Sequence, residues 1–185
     1  MKDNMPVIIY PYNPLWPCFY EKELQVIEKT IGVQLLSIEH VGSTSVPGLC
    51  GKNIIDILAG VADMDAADRC RRMLFPVGYD DISAGSHAEW FYCLGKRLEG
   101  SYCHLHLVKE GSDHQERHTV FRDWLRDHNE DARTYAELKA SLAKKYRNDR
   151  PRYTDAKGEF IARILAKAAA ENGMDTDHTA GNKSR

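Results

Sequence analysis

The spacing of apolar positions changes repeatedly along the chain, and each change marks an element. Pro14 and Pro17 sit where a first helical turn tolerates proline, and Phe19, Leu24, Val26, Ile27 and Ile31 then recur at roughly helical spacing. This predicts a helix over Pro17 to Ile31, stopped by Gly32. Gln34 to Val41 (QLLSIEHV) alternates as a strand does, and Ile54 to Val61 is an apolar run interrupted by Asp56, short enough and sufficiently flanked by turn residues to be a buried strand. Ala66 to Phe75 is helical in composition, Gly78 opens a short extended piece, and Trp90 to Leu94 and Tyr102 to Val108 are the next strands. From Asp113 the pattern turns helical. Val120, Phe121, Trp124 and Leu125 form one stripe and Tyr135, Leu138, Leu142 and Tyr146 another, with Asn129 as the cap between them. A last helix starts near Thr154 and carries Phe160, Ile161, Ile164 and Leu165. The expected architecture is α+β: a mixed sheet of four to five strands with an N-terminal helix and a C-terminal group of helices packed on it.

With 185 residues, the chain suits one domain with a substantial core. That domain is expected over residues 1–171, with a disordered polar tail over 172–185. Hydrophobic residues at 43% and charged residues at 28% are ordinary for a folded protein. A formal net charge of −2 gives no bulk attraction to nucleic acid. No run of about 18 apolar residues predicts a membrane span, and MKDNMPVIIYPYNP lacks the features of a signal peptide, so a cytoplasmic protein is expected. Five cysteines without a CxxC pair read as reduced thiols in packing roles.

The chemistry concentrates between Glu39 and Leu58, EHVGSTSVPGLCGKNIIDIL. Gly42, Ser43 and Thr44 follow a strand, where glycine lets backbone amides approach an anion and the hydroxyl adds a donor. Lys52 supplies a compact positive charge, and Asp56 lies in the next strand as an oxygen ligand for a hard cation. A charge amid Ile54, Ile55, Ile57 and Leu58 needs a partner or a metal. A P-loop is excluded. Val46 stands where its first glycine belongs and Asn53 where its Ser or Thr belongs, and a strand follows instead of a helix. The GxSxG elbow is also absent around Ser43 and Ser45.

The run EHVGSTSVPGLCGKNIIDI resembles the signature of the GrpB-like family, and the resemblance extends to YPYNPLWP, to CHLHLV from Cys103 to Val108, to FRDWLRDH from Phe121 to His128, and to Tyr135 with Lys139 and Tyr153 with Lys157. The family is placed in the nucleotidyltransferase-like superfamily, which implies a minimal mixed sheet flanked by helices and transfer of nucleoside monophosphates with two metal ions. The superfamily's D-x-D pair falls on Ile54 and Asp56, so one carboxylate of the pair is missing. His104 and His106, on one face of a strand at period-two spacing, stand near the superfamily's third-carboxylate position, and imidazole favours a transition metal over magnesium. Metal is accordingly assigned to Asp56 and His106, with His104 beside them in the catalytic set.

The same resemblance implies a nucleotide triphosphate held by Gly42, Ser43, Thr44 and Lys52, with Arg122, Lys139 and Lys157 approaching from the helical side. Lys96 or Arg97 substitutes for basic residues that the family carries near an aromatic pair. His40 shares a face with Ile38 by alternation and either orients the turn from behind or touches a ligand. His114 and His118 lie one helical turn apart, but HQERH is not HExxH, and an exposed face is expected for them. Two functions follow. One is nucleotidyl transfer to an unknown small-molecule or protein acceptor, with magnesium or a transition metal. The alternative is a non-catalytic nucleotide-binding or regulatory module, associated with coenzyme A metabolism through the fusion of such domains to dephospho-coenzyme A kinase.

Overall fold

The structure, a computed structural model, describes residues 6–83, 91–171 and 173. Helix α1 (Trp16–Ile31) opens on Pro17 and is followed by a 3-10 turn over Gly32–Gln34, so strand β1 (Ser37–Val41) begins three residues later than the alternation suggested. Strand β2 (Ile54–Val61) has the predicted limits, and helix α2 (Met64–Leu74) starts at a cap in which the Asp63 carboxylate accepts from the Ala66 amide at 2.7 Å. Strands β3 (Asp80–Asp81), β4 (Phe91–Leu98) and β5 (Ser101–Lys109) complete a five-stranded sheet.

The sheet order is β1-β2-β5-β4-β3, with β2 and β5 parallel at its centre and the other pairs antiparallel. Helices α3 (Asp113–Asp127) and α4 (Asn129–Lys145) follow, and the single last helix expected from Thr154 is two: α5 (Arg150–Asp155) and α6 (Gly158–Glu171). Pro151 in the first turn of α5 and the Asp149 side-chain cap fix the start of the shorter piece. Asn129 is the first residue of α4, and His128 occupies the cap position. Trp90 and, apart from Gly173, the polar tail lie outside the described residues. Among the described residues no helix is long and apolar enough to cross a membrane.

Alternation along the central strands divides the molecule. Ile55, Ile57 and Ala59 of β2 and Cys103, Leu105 and Leu107 of β5 meet Trp16, Ile27 and Ile31 of α1 and Ala66, Ala67, Cys70 and Leu74 of α2 in one core. On the other side, Val41, Leu58 and Val108 form a small apolar group, and a third cluster joins Val46 and Leu49 to Leu125, Tyr135, Phe160 and Ile164. Between those two smaller clusters the sheet presents polar side chains, and the helices above leave a hollow.

Candidate functional site

The hollow is built on the connection from β1 to β2. Val41 pairs with Asp56, so the chain leaves β1 and returns beside the point of departure. Gly42 makes the turn possible twice over. Its φ of 72° and ψ of −173° are open essentially to glycine alone, and a Cβ there would lie 2.3 Å from Asp56 Oδ2. A short 3-10 turn over Ser43–Ser45 follows, tied by Ser45 Oγ donating to the Gly42 carbonyl at 2.6 Å. Thr44 is buried, and its hydroxyl donates to the Ile54 carbonyl at 3.1 Å, bracing the turn against β2. Thr44 Oγ1 also lies 3.0 Å from His40 Nε2, while the His40 ring stacks on Tyr20 at 4.7 Å. His40 therefore supports the turn from the α1 side. Burial lowers its basicity to a pKa of about 4, with the Asp56 charge opposing, so the ring is neutral at ordinary pH.

Asp56 faces the opposite way, and β5 supplies its neighbours. Parallel register pairs Asp56 with His104, whose Nδ1 is 3.3 Å from Asp56 Oδ1. Burial alone would raise the carboxyl pKa, but the hydrogen bond and charge of His104, with His106 and Lys52, bring it down to about 2. The group is an anion across the physiological range. His106 is pushed down to about 3 by burial and by the imidazoles of His118, His104 and His114, although Asp56 acts the other way. His114 and His118 are thus not on an exposed helical face. They are half-buried and turned toward the sheet, with the His118 ring 5.4 Å from that of His106 and 4.6 Å from that of His114. Together with Arg122 and Leu125 they recur at helical spacing, and all four line the hollow.

The cavity measures about 360 Å³, within the usual range for small-ligand sites. Gly42, Ser43, Thr44, Lys52 and Asp56 form its floor, and Lys139 of α4 and Tyr153 and Lys157 from the C-terminal segment close it. Lys139 is only 2% exposed; its Nζ donates to Ser43 Oγ at 2.8 Å and to the Cys50 carbonyl. Burial lowers its pKa to about 7, and burial with the nearby Lys52 charge lowers that of Lys157 to about 8. The ammonium groups of Lys157 and Lys52 lie 4.8 and 5.9 Å from the Tyr153 ring centroid. Lysines with weakened affinity for protons crowd a site that lacks enough negative charge of its own.

Arg122 also borders the cavity, yet its guanidinium is engaged: it donates to Glu39 Oε2 at 2.7 Å, to the His40 carbonyl at 3.1 Å, and to both carboxylate oxygens of Asp123. It acts first as a clamp between α3 and β1. Lys96 lies on the other face of the sheet, paired with the buried Glu23 at 2.6 Å, and Arg97 is exposed, so neither adds to the cavity floor. Sequence reasoning missed Arg117, which lines the hollow from α3.

Ile54 stands at the first D-x-D position, 6% exposed and itself part of the cavity wall. A pair of magnesium ions clamped by adjacent carboxylates does not fit this donor set, which offers one carboxylate and imidazoles. Asp56 with His104 and His106 suits a single ion.

Residues 6–167 match the family described as GrpB protein. The chain belongs to the GrpB family. It is 37% identical over 171 residues to a UPF0157 protein of Pseudomonas aeruginosa, a match covering 91% of this chain and 70% of that protein. The crystal structure of the conserved protein GrpB from Enterococcus faecalis aligns with a TM-score of 0.77 at 30% identity, over 90% of this chain and 99% of that one. The dephospho-CoA kinase of Mycolicibacterium paratuberculosis is 26% identical over 187 residues, covering 88% of this chain but 46% of the kinase. The turn at Gly42 and the strand carrying Asp56 lie well inside the matched residues 6–167.

Proposed function

We propose that this GrpB-family protein binds a nucleotide triphosphate with one divalent cation and transfers a nucleotidyl group to an acceptor whose identity is open. One observation carries the reading: the Gly42–Ser43 turn, the ionised Asp56 and the lysines Lys52, Lys139 and Lys157 converge on a single cavity. Phosphate oxygens are the ligand that such a set satisfies. Each bound oxygen would accept from the turn or from an ammonium group, and the added negative charge would return Lys139 and Lys157 to full protonation. Asp56 and the strand histidines would hold the cation, magnesium or a transition metal, whose charge neutralises the phosphates where they approach the carboxylate.

A non-catalytic nucleotide-binding or regulatory module is the second reading, and Ile54 favours it, because transfer by this superfamily draws on the carboxylate that Ile54 replaces. The similarity to part of a dephospho-CoA kinase gives that reading a ligand class, coenzyme A precursors, to set against nucleoside triphosphates.

Calorimetry with a panel of nucleotides and coenzyme A precursors, with and without divalent metal, separates these readings. Metal-dependent binding of a triphosphate is expected, weakened at least tenfold by Asp56→Ala, which corresponds to about 1.4 kcal/mol. Binding unchanged in Asp56→Ala, or no binding of any nucleotide, would sink the proposal. Binding without release of pyrophosphate across an acceptor panel would favour the regulatory module.

A further inference from the structure

The hairpin of β4 and β5 brings a thiol to the histidines. The strands are joined by Glu99 and Gly100, with Gly100 at φ 81°, and the register that follows sets Cys93 directly opposite His106 and Gly95 opposite His104. Residues opposite one another in an antiparallel pair project to the same side, and His104 and His106 share a face by alternation. A donor atom from each of Cys93, His104 and His106 lies within 4.8 Å of the other two. Gly95 keeps the neighbouring position clear, since a Cβ there would run into the Tyr102 hydroxyl on the same face.

Two further observations point to an ion. His106 Nδ1 is buried without a hydrogen-bond partner among the described residues, a costly state for an imidazole unless something occupies its lone pair. His104, by contrast, has Nδ1 against the Asp56 carboxylate, leaving Nε2 to ligate. A carboxylate that orients a histidine through its other nitrogen is the usual support of a metal-bound imidazole.

We propose that Cys93, His104 and His106 form a mononuclear site for a borderline transition-metal ion of the zinc class, with Asp56 positioning His104. Bonds of about 2.0–2.3 Å place tetrahedral donors roughly 3.3–3.8 Å apart, so donors that already lie within 4.8 Å of one another need only a small closure on binding. The thiol proton leaves to solvent as the sulfur coordinates. Three protein donors leave a tetrahedral ion one position for a solvent or ligand oxygen, the arrangement of reactive rather than purely structural zinc sites. This refines the proposed function: it names the cation's class, puts Cys93 in place of Asp56 as a direct ligand and leaves Asp56 to orient His104, and it rests on that reading only for the cation's use with a nucleotide.

The test is cobalt(II) titration of the chelator-stripped full chain, without nucleotide, followed by absorption spectroscopy. One equivalent is expected to bind with tetrahedral d–d bands and a sulfur-to-cobalt charge-transfer band. Cys93→Ser should abolish the charge-transfer band and weaken binding at least tenfold while keeping weaker d–d bands, and His106→Gln should lose binding to a similar or greater extent. Cys18→Ser, at an exposed cysteine away from the site, should change nothing. Absence of a thiolate band in the wild type, its survival in Cys93→Ser, or its loss in Cys18→Ser overturns the assignment, and the wild-type spectrum decides even if Cys93→Ser fails to fold. Nucleotide calorimetry is read separately. Cobalt binding without nucleotide binding leaves the metal site standing and removes the nucleotide, whereas Asp56-dependent nucleotide binding without the thiolate band does the reverse.

Discussion

The two faces of strand β2 carry opposite chemistry one residue apart. Ile55 and Ile57 are fully buried under α1 and α2 in a continuous apolar core, while Asp56 between them looks into a cavity roofed by α3 with lysines, histidines and two arginines around it. One face is buried and apolar and supplies stability; the other leaves a hollow and holds charges that are only partly balanced. The difference teaches where sequence change should be felt as unfolding and where as lost binding.

That contrast can be attacked in descending order of effect. Trp16 is fully buried on the α1 side, its indole N–H donating to Asn53 Oδ1 at 2.7 Å, so Trp16→Ala should cost about 3–5 kcal/mol in chemical denaturation. A loss below about 1 kcal/mol would mean that the apolar face is not the principal store of stability. Gly42→Ala should cost about 2–4 kcal/mol, because it combines a backbone conformation reserved for glycine with a clash on Asp56, and ligand binding should fall with it. Arg122→Gln should cost about 1–2 kcal/mol, moderated by the partial exposure of Glu39 and Asp123. An unchanged denaturation midpoint would show that the clamp holds nothing.

The smallest effect on stability, within about 1 kcal/mol at pH 7, is expected for Lys139→Met, which exchanges a buried amine for an apolar chain but leaves Ser43 and Cys50 short of a donor. Its signature is in pH. In the folded protein Lys139 releases its proton near pH 7, and in the unfolded chain near 10.5. Between those values the unfolded state binds more protons, so this residue makes stability rise with pH, and the rise should flatten in Lys139→Met. Phosphate affinity runs the other way: it should fall as pH increases through 7 and 8 while Lys139 and Lys157 discharge, and the lower of these steps should vanish in the variant. Calorimetry at pH 6 and pH 9 reads both trends.

The apolar half of this division was plain in the sequence. β2 appeared with its limits because a central strand buried on both faces is a nearly unbroken apolar run, and Asp56 stood out against it. The N-terminal helix and the core stripe of α3 were equally clear. The polar half was harder to see, because it depends on which elements come together. His114 and His118 look like surface residues when α3 is considered alone, and they face the sheet only because the helix returns over β1 and β5. Yet His114, His118, Arg122 and Leu125 follow a helical period that was available to count. The approach of Cys93 to His106 was also within reach, since the two-residue turn at Glu99–Gly100 fixes the hairpin register. Arg122, expected on phosphate, could be assigned to Glu39 and Asp123 only once α3 had been placed against β1.

The arginines of α3 also bear on how fast a ligand arrives. Arg122 grips Glu39 and the His40 carbonyl, and Arg126 donates twice to the Ser45 carbonyl, at 2.9 and 3.2 Å, so the roof of the cavity is pinned to strand and turn at successive helical turns. A ligand therefore meets a cleft whose walls are already in place. Association should be a single bimolecular step, with an observed rate linear in ligand concentration and reduced by salt as the lysines are screened.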